Sequence, residues 1–366
     1  MRRLLAFKSH YQKVKEFYSR YERWLMPVTL AVGFVGDYVT FVNIQINTAI
    51  ILLFVYWVIA ALALTFIYAF DAGKIPEKYK YIRLFLPLLV QFTFGGLLSN
   101  SFIFYWFSGS IWVSWPFILA FVILMVSNDA LREHFFKPPV QLSVFFFATF
   151  SIFSVTLPFV FNSLSPWLFI LSGVCGLALF GLFAWFLNFV SHQIKPIRLK
   201  LIVSTLSILL VSYFFYFANL IPPVPLAIRE TGLYHSVTRA GGKYVLKGEP
   251  QSFWQKLIPG QTLHLTSGEQ AFVFTAIFAP KQLNTPIVHE WQHYDAGQGK
   301  WVIKDKLSFT LIGGRQEGFR GYSLKTVLPE GKWRVYVKTA RGQTLGRIKF
   351  NIEKVETPVE LEEIVR

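Results

Sequence analysis

Cysteine is nearly absent. Cys175 stands alone among 366 residues, so no disulfide can close within the chain and no cysteine-based metal cluster can form. Charge is scarce as well: charged residues make up 15% of the chain, against about 25% in a soluble globular protein. Acids are the scarcer sign, with 20 Asp and Glu against 36 Lys and Arg, for a net charge of +16. Such a balance could serve nucleic acid, but no nucleic-acid-binding motif accompanies it. In an apolar chain, excess Lys and Arg read instead as membrane topology and contact with anionic lipid. No cofactor-binding motif is present, and no cofactor is expected. The first apolar segment begins after 23 largely polar, basic residues and is followed by no A-x-A-like site. A cleaved signal peptide is therefore not expected, and the segment reads as an uncleaved anchor.

What the chain does contain is apolar: 54% hydrophobic residues, 39 of them Phe. The long apolar runs fall between residues 24 and 220, and the composition changes at Pro222-Pro223-Val224-Pro225. The fold class expected is a multi-span α-helical membrane domain followed by a soluble, all-β, sandwich-like domain. Its parts are a basic amphipathic segment (1–23), seven transmembrane helices (24–220), a linker with a short hairpin or helix (221–260), the β domain (261–353) and a tail (354–366). A bilayer core about 30 Å thick needs roughly 20 apolar residues of helix. Seven segments meet this, at about 24–42, 48–70, 84–107, 110–127, 141–161, 166–189 and 201–220. Asp37, near the end of the first, is the ionisable group within a span.

The connections carry an alternation. Residues 1–23 hold seven basic groups, the second connection has Lys74, Lys78, Lys80 and Arg83, the fourth Arg132 and Lys137, and the sixth Lys195, Arg198 and Lys200. The first, third and fifth connections hold none. Excess Lys and Arg mark the cytoplasmic side, so the pattern predicts a multi-pass inner-membrane protein with a cytoplasmic N-terminus and a periplasmic C-terminal domain. Leu4, Phe7, Tyr11, Val14, Tyr18 and Tyr21 recur at helical spacing. The segment fits a helix lying on the inner leaflet or packed on cytoplasmic loops.

Residues 221–366 read as short strands rich in Val, Ile, Phe, Tyr and Trp, separated by Gly and Pro. Strands are expected near 233–238, 243–247, 261–266, 270–278, 286–293, 300–311, 320–328, 332–339 and 344–352. Ala240-Gly241-Gly242 and Ala340-Arg341-Gly342 read as hairpin turns, Glu249 to Leu257 as a short helix, and the whole as two packed sheets.

One motif argues for chemistry. His289-Glu290-Trp291-Gln292-His293 matches the H-E-x-x-H pattern of zinc peptidases. On a helix, residues four apart rise about 6 Å and can share a zinc; on a strand they lie roughly 13 Å apart and cannot. Ile287, Val288, Trp291 and Tyr294 are strand formers. Glu317, the downstream acid, sits in a glycine-rich turn instead of a second helix. The extended reading is preferred, with the metal pair His289 and His293 kept as the alternative.

The same region resembles the domain-of-unknown-function 2914 family. The resemblance rests on His289-x-Trp291, Gly313-Gly314-Arg315, Arg320 with Ser323 and Lys325, Pro329-x-Gly331-x-Trp333-x-Val335, Gly342 and Phe350, over roughly 260–352. It implies a small β module of the binding or interaction kind with no established activity, in which the residues after His-x-Trp vary. It also implies company with seven-span bacterial membrane proteins. On a structural reading, Trp291 and Trp333 fill the space between sheets and the glycines allow positive φ. On a functional reading, His289, Trp291, Arg315, Arg320 and Lys325 take an anionic envelope glycan or a protein partner, with the lipid bilayer as the other partner. A Ser323–Lys325 catalytic pair and a transport path through Asp37 are the remaining alternatives.

Overall fold

A computed structural model describes residues 32, 35, 46–108, 111–130, 137–250, 260–315 and 317–366. The amphipathic segment 1–23, all but two residues of the expected first span with its Asp37, and most of the helix read at 249–257 lie outside the described residues. The chain divides into two compact units. The first comprises Met1–Phe104, Pro116–Leu157 and Ser165–Phe217, the second Tyr105–Trp115, Pro158–Leu164 and Ala218–Arg366.

Among the described residues six helices carry the apolar runs: α1 (Ile46–Asp71), α2 (Lys80–Ser108), α3 (Ile111–Ala130), α4 (Pro138–Val160), α5 (Pro166–Ser191) and α6 (Arg198–Phe217). Among the described residues five segments are long and apolar enough to cross a membrane: Ile50–Asp71, Glu77–Trp106, Pro138–Val160, Pro166–Ser191 and Lys195–Phe217. In α3 the apolar stretch among the described residues is Val113–Ile123. Large apolar side chains such as Leu62, Leu89, Leu182 and Leu210 are exposed on these helices, while Gln91, Asn100 and Ser151 are buried, the reverse of a helix with a water-facing polar stripe. Pro166 starts α5 at its first turn, where its missing N–H costs nothing. Pro87 and the Gly95-Gly96 pair do not break α2. Gly96 instead makes room for a neighbour, because a Cβ there would lie 2.7 Å from the Tyr56 ring of α1. Phe side chains fill the interior, with Phe94 and Phe183 packed on Phe145. Trp57 of α1 donates to the Thr149 hydroxyl of α4 at 2.9 Å. Lys74, before α2, donates to the Phe189 carbonyl near the end of α5, so the second and sixth connections share one end of this bundle.

The second unit is built of strands: β1 (Ala227–Tyr234), β2 (Ser236–Ala240), β3 (Lys243–Gly248), β4 (Gln261–Leu265), β5 (Ala271–Phe278), β6 (Asn284–Asp295), β7 (Lys300–Ile312), β8 (Phe319–Lys325), β9 (Gly331–Thr339), β10 (Thr344–Lys354) and β11 (Glu362–Val365). They form three sheets instead of the two expected: β4-β10-β9-β6-β7, β1-β5-β8 and β11-β3-β2. The β1-β5-β8 sheet lies in the middle, which is why β5 is buried on both faces. Ala271, Val273 and Ile277 of β5 face the five-stranded sheet, where they meet Trp291, Trp333, Val335 and Val337. Phe274 and Ala276 face the third sheet, where they meet Val237 and Leu246. Leu164, from the connection between α4 and α5, packs on the cluster of Leu226, Ile277 and Leu283. The expected linker 221–260 and tail 354–366 are therefore strand-bearing: β1 pairs with β5, and β11 with β3.

Gly314 and Gly342 hold φ of +106° and +94°, the left-handed conformation that glycine adopts without penalty. Gly313 does not need positive φ. Its reason is crowding: a Cβ there would lie 1.8 Å from the Pro280 carbonyl oxygen, where Gly313 and Gly314 donate to the Leu283 and Ala279 carbonyls. Gly313→Ala must push backbone apart and is expected to cost about 1 to 3 kcal/mol. Hydrogen exchange of the β6 and β7 amides in the full chain reads this as faster opening; unchanged protection would contradict it.

Candidate functional site

His289, Glu290, Trp291, Gln292 and His293 lie on β6, a strand flanked by β7 and β9. Alternation sends His289, Trp291 and His293 inward and Glu290, Gln292 and Tyr294 outward. In the register, His289 stands opposite Val337 and Trp291 opposite Val335, both buried in the core.

The inward half is a closed polar network. His289 and Trp291 are each 0% exposed. Trp291 Nε1 donates to the Ser323 hydroxyl of β8 at 3.0 Å, and that hydroxyl lies 2.8 Å from His289 Nδ1. His289 Nε2 lies 3.2 Å from the Thr275 hydroxyl of β5, which donates to the Gly321 carbonyl at 3.3 Å. Since the threonine proton goes to a carbonyl, Nε2 must be the donor and Nδ1 the acceptor. The protons then run one way, from Trp291 through Ser323 into His289 and from His289 through Thr275 to Gly321. Every group is used once by a neutral imidazole. Phe309 closes the cavity edge-on to His289 at 5.1 Å, in space left because Gly321 has no side chain. Burial lowers the His289 pKa from the ordinary 6.5 to about 4.

The metal alternative fails on this geometry. Both His289 nitrogens are engaged inside the sheets. His293 leans on the Trp333 ring at 4.8 Å and donates from Nε2 to the Glu330 carbonyl at 3.1 Å. Among the described residues no group of three His, Cys, Asp or Glu side chains could hold a metal ion. Ser323 gives no nucleophile, because its hydroxyl is occupied by His289 and Trp291. Lys325 turns to Asp305 and the Trp333 ring.

The expected ligand cluster is also corrected. His289 and Trp291 are sealed from solvent. Arg320 and Lys325 lie five residues apart on β8, hence on opposite faces and roughly 16 Å apart. Arg320 donates to Glu317 at 2.6 Å. Arg315 is exposed in the turn after β7, apart from both faces of β8. Gln91, Asn100, Ser151 and Ser154 are buried within the helical unit.

The outward face of the five-stranded sheet gathers residues that the sequence reading passed over. Glu290 accepts from Lys338 at 2.7 Å and from Gln292 at 2.6 Å, with Lys306 at 3.6 Å. Burial raises its carboxyl pKa, but these donors outweigh burial and leave it below the ordinary value. Arg334 donates to Gln292 at 2.7 Å and lies 4.1 Å from the centre of the Trp301 ring and 5.1 Å from Tyr336. Lys338 and Arg347 approach the same Tyr336 ring, at 5.0 and 6.0 Å, and Lys332 approaches Tyr294. A signal was present: Lys332, Arg334, Tyr336 and Lys338 alternate with Trp333, Val335 and Val337.

A family model described as "Protein of unknown function (DUF2914)" matches residues 284–352, from the start of β6 to Ile352 within β10. No curated protein matches the chain. Among solved structures, the β-glucosidase of Listeria innocua in complex with isofagomine is similar at 14% identity and a TM-score of 0.19. That match covers 34% of this chain and 16% of the enzyme. Pseudomonas fluorescens alkylpurine DNA glycosylase AlkC, bound to DNA containing an abasic site analog, is similar at 12% identity with a TM-score of 0.20. It covers 73% of this chain and 82% of that one. At such scores neither likeness carries an argument about this protein.

Two outcomes test the network. Ser323→Ala leaves two buried nitrogens without their partner and is expected to cost about 2 to 4 kcal/mol, read as a lower unfolding midpoint. The second is pH dependence. Above pH 6.5 the imidazole is neutral whether folded or unfolded. Between 6.5 and about 4 the unfolded chain binds a proton that the folded chain refuses. Stability should therefore fall with pH through that window, by up to about 3 kcal/mol. His289→Gln should flatten the slope between pH 6.5 and 4.5; an unchanged slope would exclude His289 as its source.

Proposed function

We propose that this is a multi-pass inner-membrane protein that presents a non-catalytic β module outside the cytoplasm, where the module binds an envelope component. The observation that carries the reading is the alternation of basic and uncharged connections between apolar helices. Lys74, Lys195, Arg198 and Lys200 fall on connections of one class; 43–47, 107–110 and 162–165 fall on the other. The hydrogen bond from Lys74 to the Phe189 carbonyl supports a shared end for the basic second and sixth connections. Residues of the two uncharged later connections, within 105–115 and 158–164, belong to the same compact unit as 218–366. Proteins of this topology keep Lys and Arg in the cytoplasm, so the β module faces outward.

The non-catalytic part rests on β6. A zinc peptidase needs His289 and His293 free and convergent, and a strand with His289 consumed on both nitrogens supplies neither.

Reporter fusions test the topology. Alkaline phosphatase joined after Arg366, or inserted at 162–165, should be active, and a fluorescent protein that matures only in the cytoplasm should stay dark at both. Fusion within 192–197 should give the reverse. Cytoplasmic fluorescence at the C-terminus would overturn the proposed orientation.

A further inference from the structure

The outward face of β10-β9-β6-β7 carries six cations: Lys306, Lys332, Arg334, Lys338, Arg347 and Lys349, against the acids Glu290 and Glu353. Lys306 and Lys338 attend Glu290. Arg334 and Lys332 form no ion pair among the described residues, and what holds Arg334 is the neutral Gln292 amide oxygen together with the Trp301 and Tyr336 rings. This distinction decides the chemistry. A cation fixed by a carboxylate has its field largely cancelled. A cation fixed over a ring keeps its full formal charge while losing its freedom to wander, which lowers the cost of ordering it around a ligand. The sheet repeats the arrangement. Arg334, Tyr336 and Lys338 alternate along one strand, and Arg347 and Lys349 stand opposite Tyr336 and Arg334 on the next.

We infer that this face binds an acidic polysaccharide, with uronate carboxylates on Arg334, Arg347, Lys332 and Lys349 and sugar rings against Trp301 and Tyr336. The inference rests on the module lying outside the cytoplasm, where such polymers occur. Three features favour a carboxylated glycan over a bilayer. Interfacial binding inserts exposed apolar side chains, and on this face only Ile303, at 48%, and Ile312, at 57% and at the far end of β7 from Trp301, are exposed large hydrophobic residues among the described ones. The rings are half-buried and crossed by cations. Beneath the cations, Gln292 and Glu290 are buried and hold Arg334 and Lys338 in place, which lowers the cost of ordering those cations around a ligand. A planar guanidinium takes a carboxylate through two parallel hydrogen bonds, and an extended chain bearing a carboxylate on each sugar can meet a row of such groups along a strand.

The test uses the full chain in nanodiscs of zwitterionic lipid, with tetragalacturonate as the probe, maltotetraose as the neutral comparator and calorimetry as the readout. Tetragalacturonate should bind, more weakly as salt rises, and maltotetraose should not. Arg347→Gln with Lys349→Gln should weaken binding about tenfold, and Trp301→Leu should weaken it as well. Arg239→Gln with Lys243→Gln removes the same charge from the third sheet and should leave affinity unchanged. If Trp301→Leu fails to fold, the surface pair on β10 still decides. Equal loss in both double variants would reduce the effect to net charge and overturn the inference. So would no binding of tetragalacturonate, or binding through β10 only to phosphatidylglycerol vesicles. Binding by the purified chain does not depend on its orientation in a cell, so this result and that of the reporter fusions can fail separately.

Discussion

The Ser323 hydroxyl joins two buried ring nitrogens across the gap between sheets, and the arrangement of the β unit depends on that junction. It takes the indole N–H of Trp291 and gives its own proton to His289, whose other nitrogen reaches Thr275. Buried polar groups of this kind are tolerable only when all are satisfied. The chain satisfies them with three strands from two sheets. It thereby fixes register, because a slip by one residue would turn every inward group of β6 outward. Around this junction the apolar packing is dense: Trp291 meets Trp333 and Phe350 edge-on, at 6.4 and 6.0 Å.

A consequence is that β6 serves two purposes on two faces. Its inward residues hold the sheets together and have nothing left to offer a ligand. Its outward residues belong to a surface where cations lie across aromatic rings. His-Glu-x-x-His therefore divides between a sealed interior and a solvent face, and its resemblance to a metal motif is a coincidence of spacing. The proposed binding draws on residues from β7, β9 and β10 that no local motif connects.

Much of this was legible. Apolar runs of the length of a bilayer marked α1 to α6, and short runs rich in Val, Ile, Phe, Tyr and Trp between Gly and Pro signals marked β7 and β9. The preference of Ile287, Val288, Trp291 and Tyr294 for extended backbone outweighed the helix reading of the metal motif. The third sheet was legible only in part: β2 and β3 fall near the strands read at 233–238 and 243–247, whereas β11 carries Glu362 and Glu363 in a four-residue stretch that buries little. The expected ligand cluster erred through parity. Arg320 and Lys325 are an odd number apart on one strand, so they face opposite ways, and that much could have been read. The approach of Arg334 to Trp301 could not, since it depends on β6 lying between β9 and β7 and on a register shift after Trp291.

The most direct measurement is the proton titration of His289 itself, followed by NMR of 15N-labelled histidine in the full chain, assigned by loss of its signal in His289→Gln and repeated with zinc. A neutral, Nε2-protonated ring down to about pH 4, unmoved by zinc, is the predicted result. A midpoint near 6.5, or a nitrogen shifted by stoichiometric zinc, would mean that the ring is open to solvent and that the sealed network does not exist.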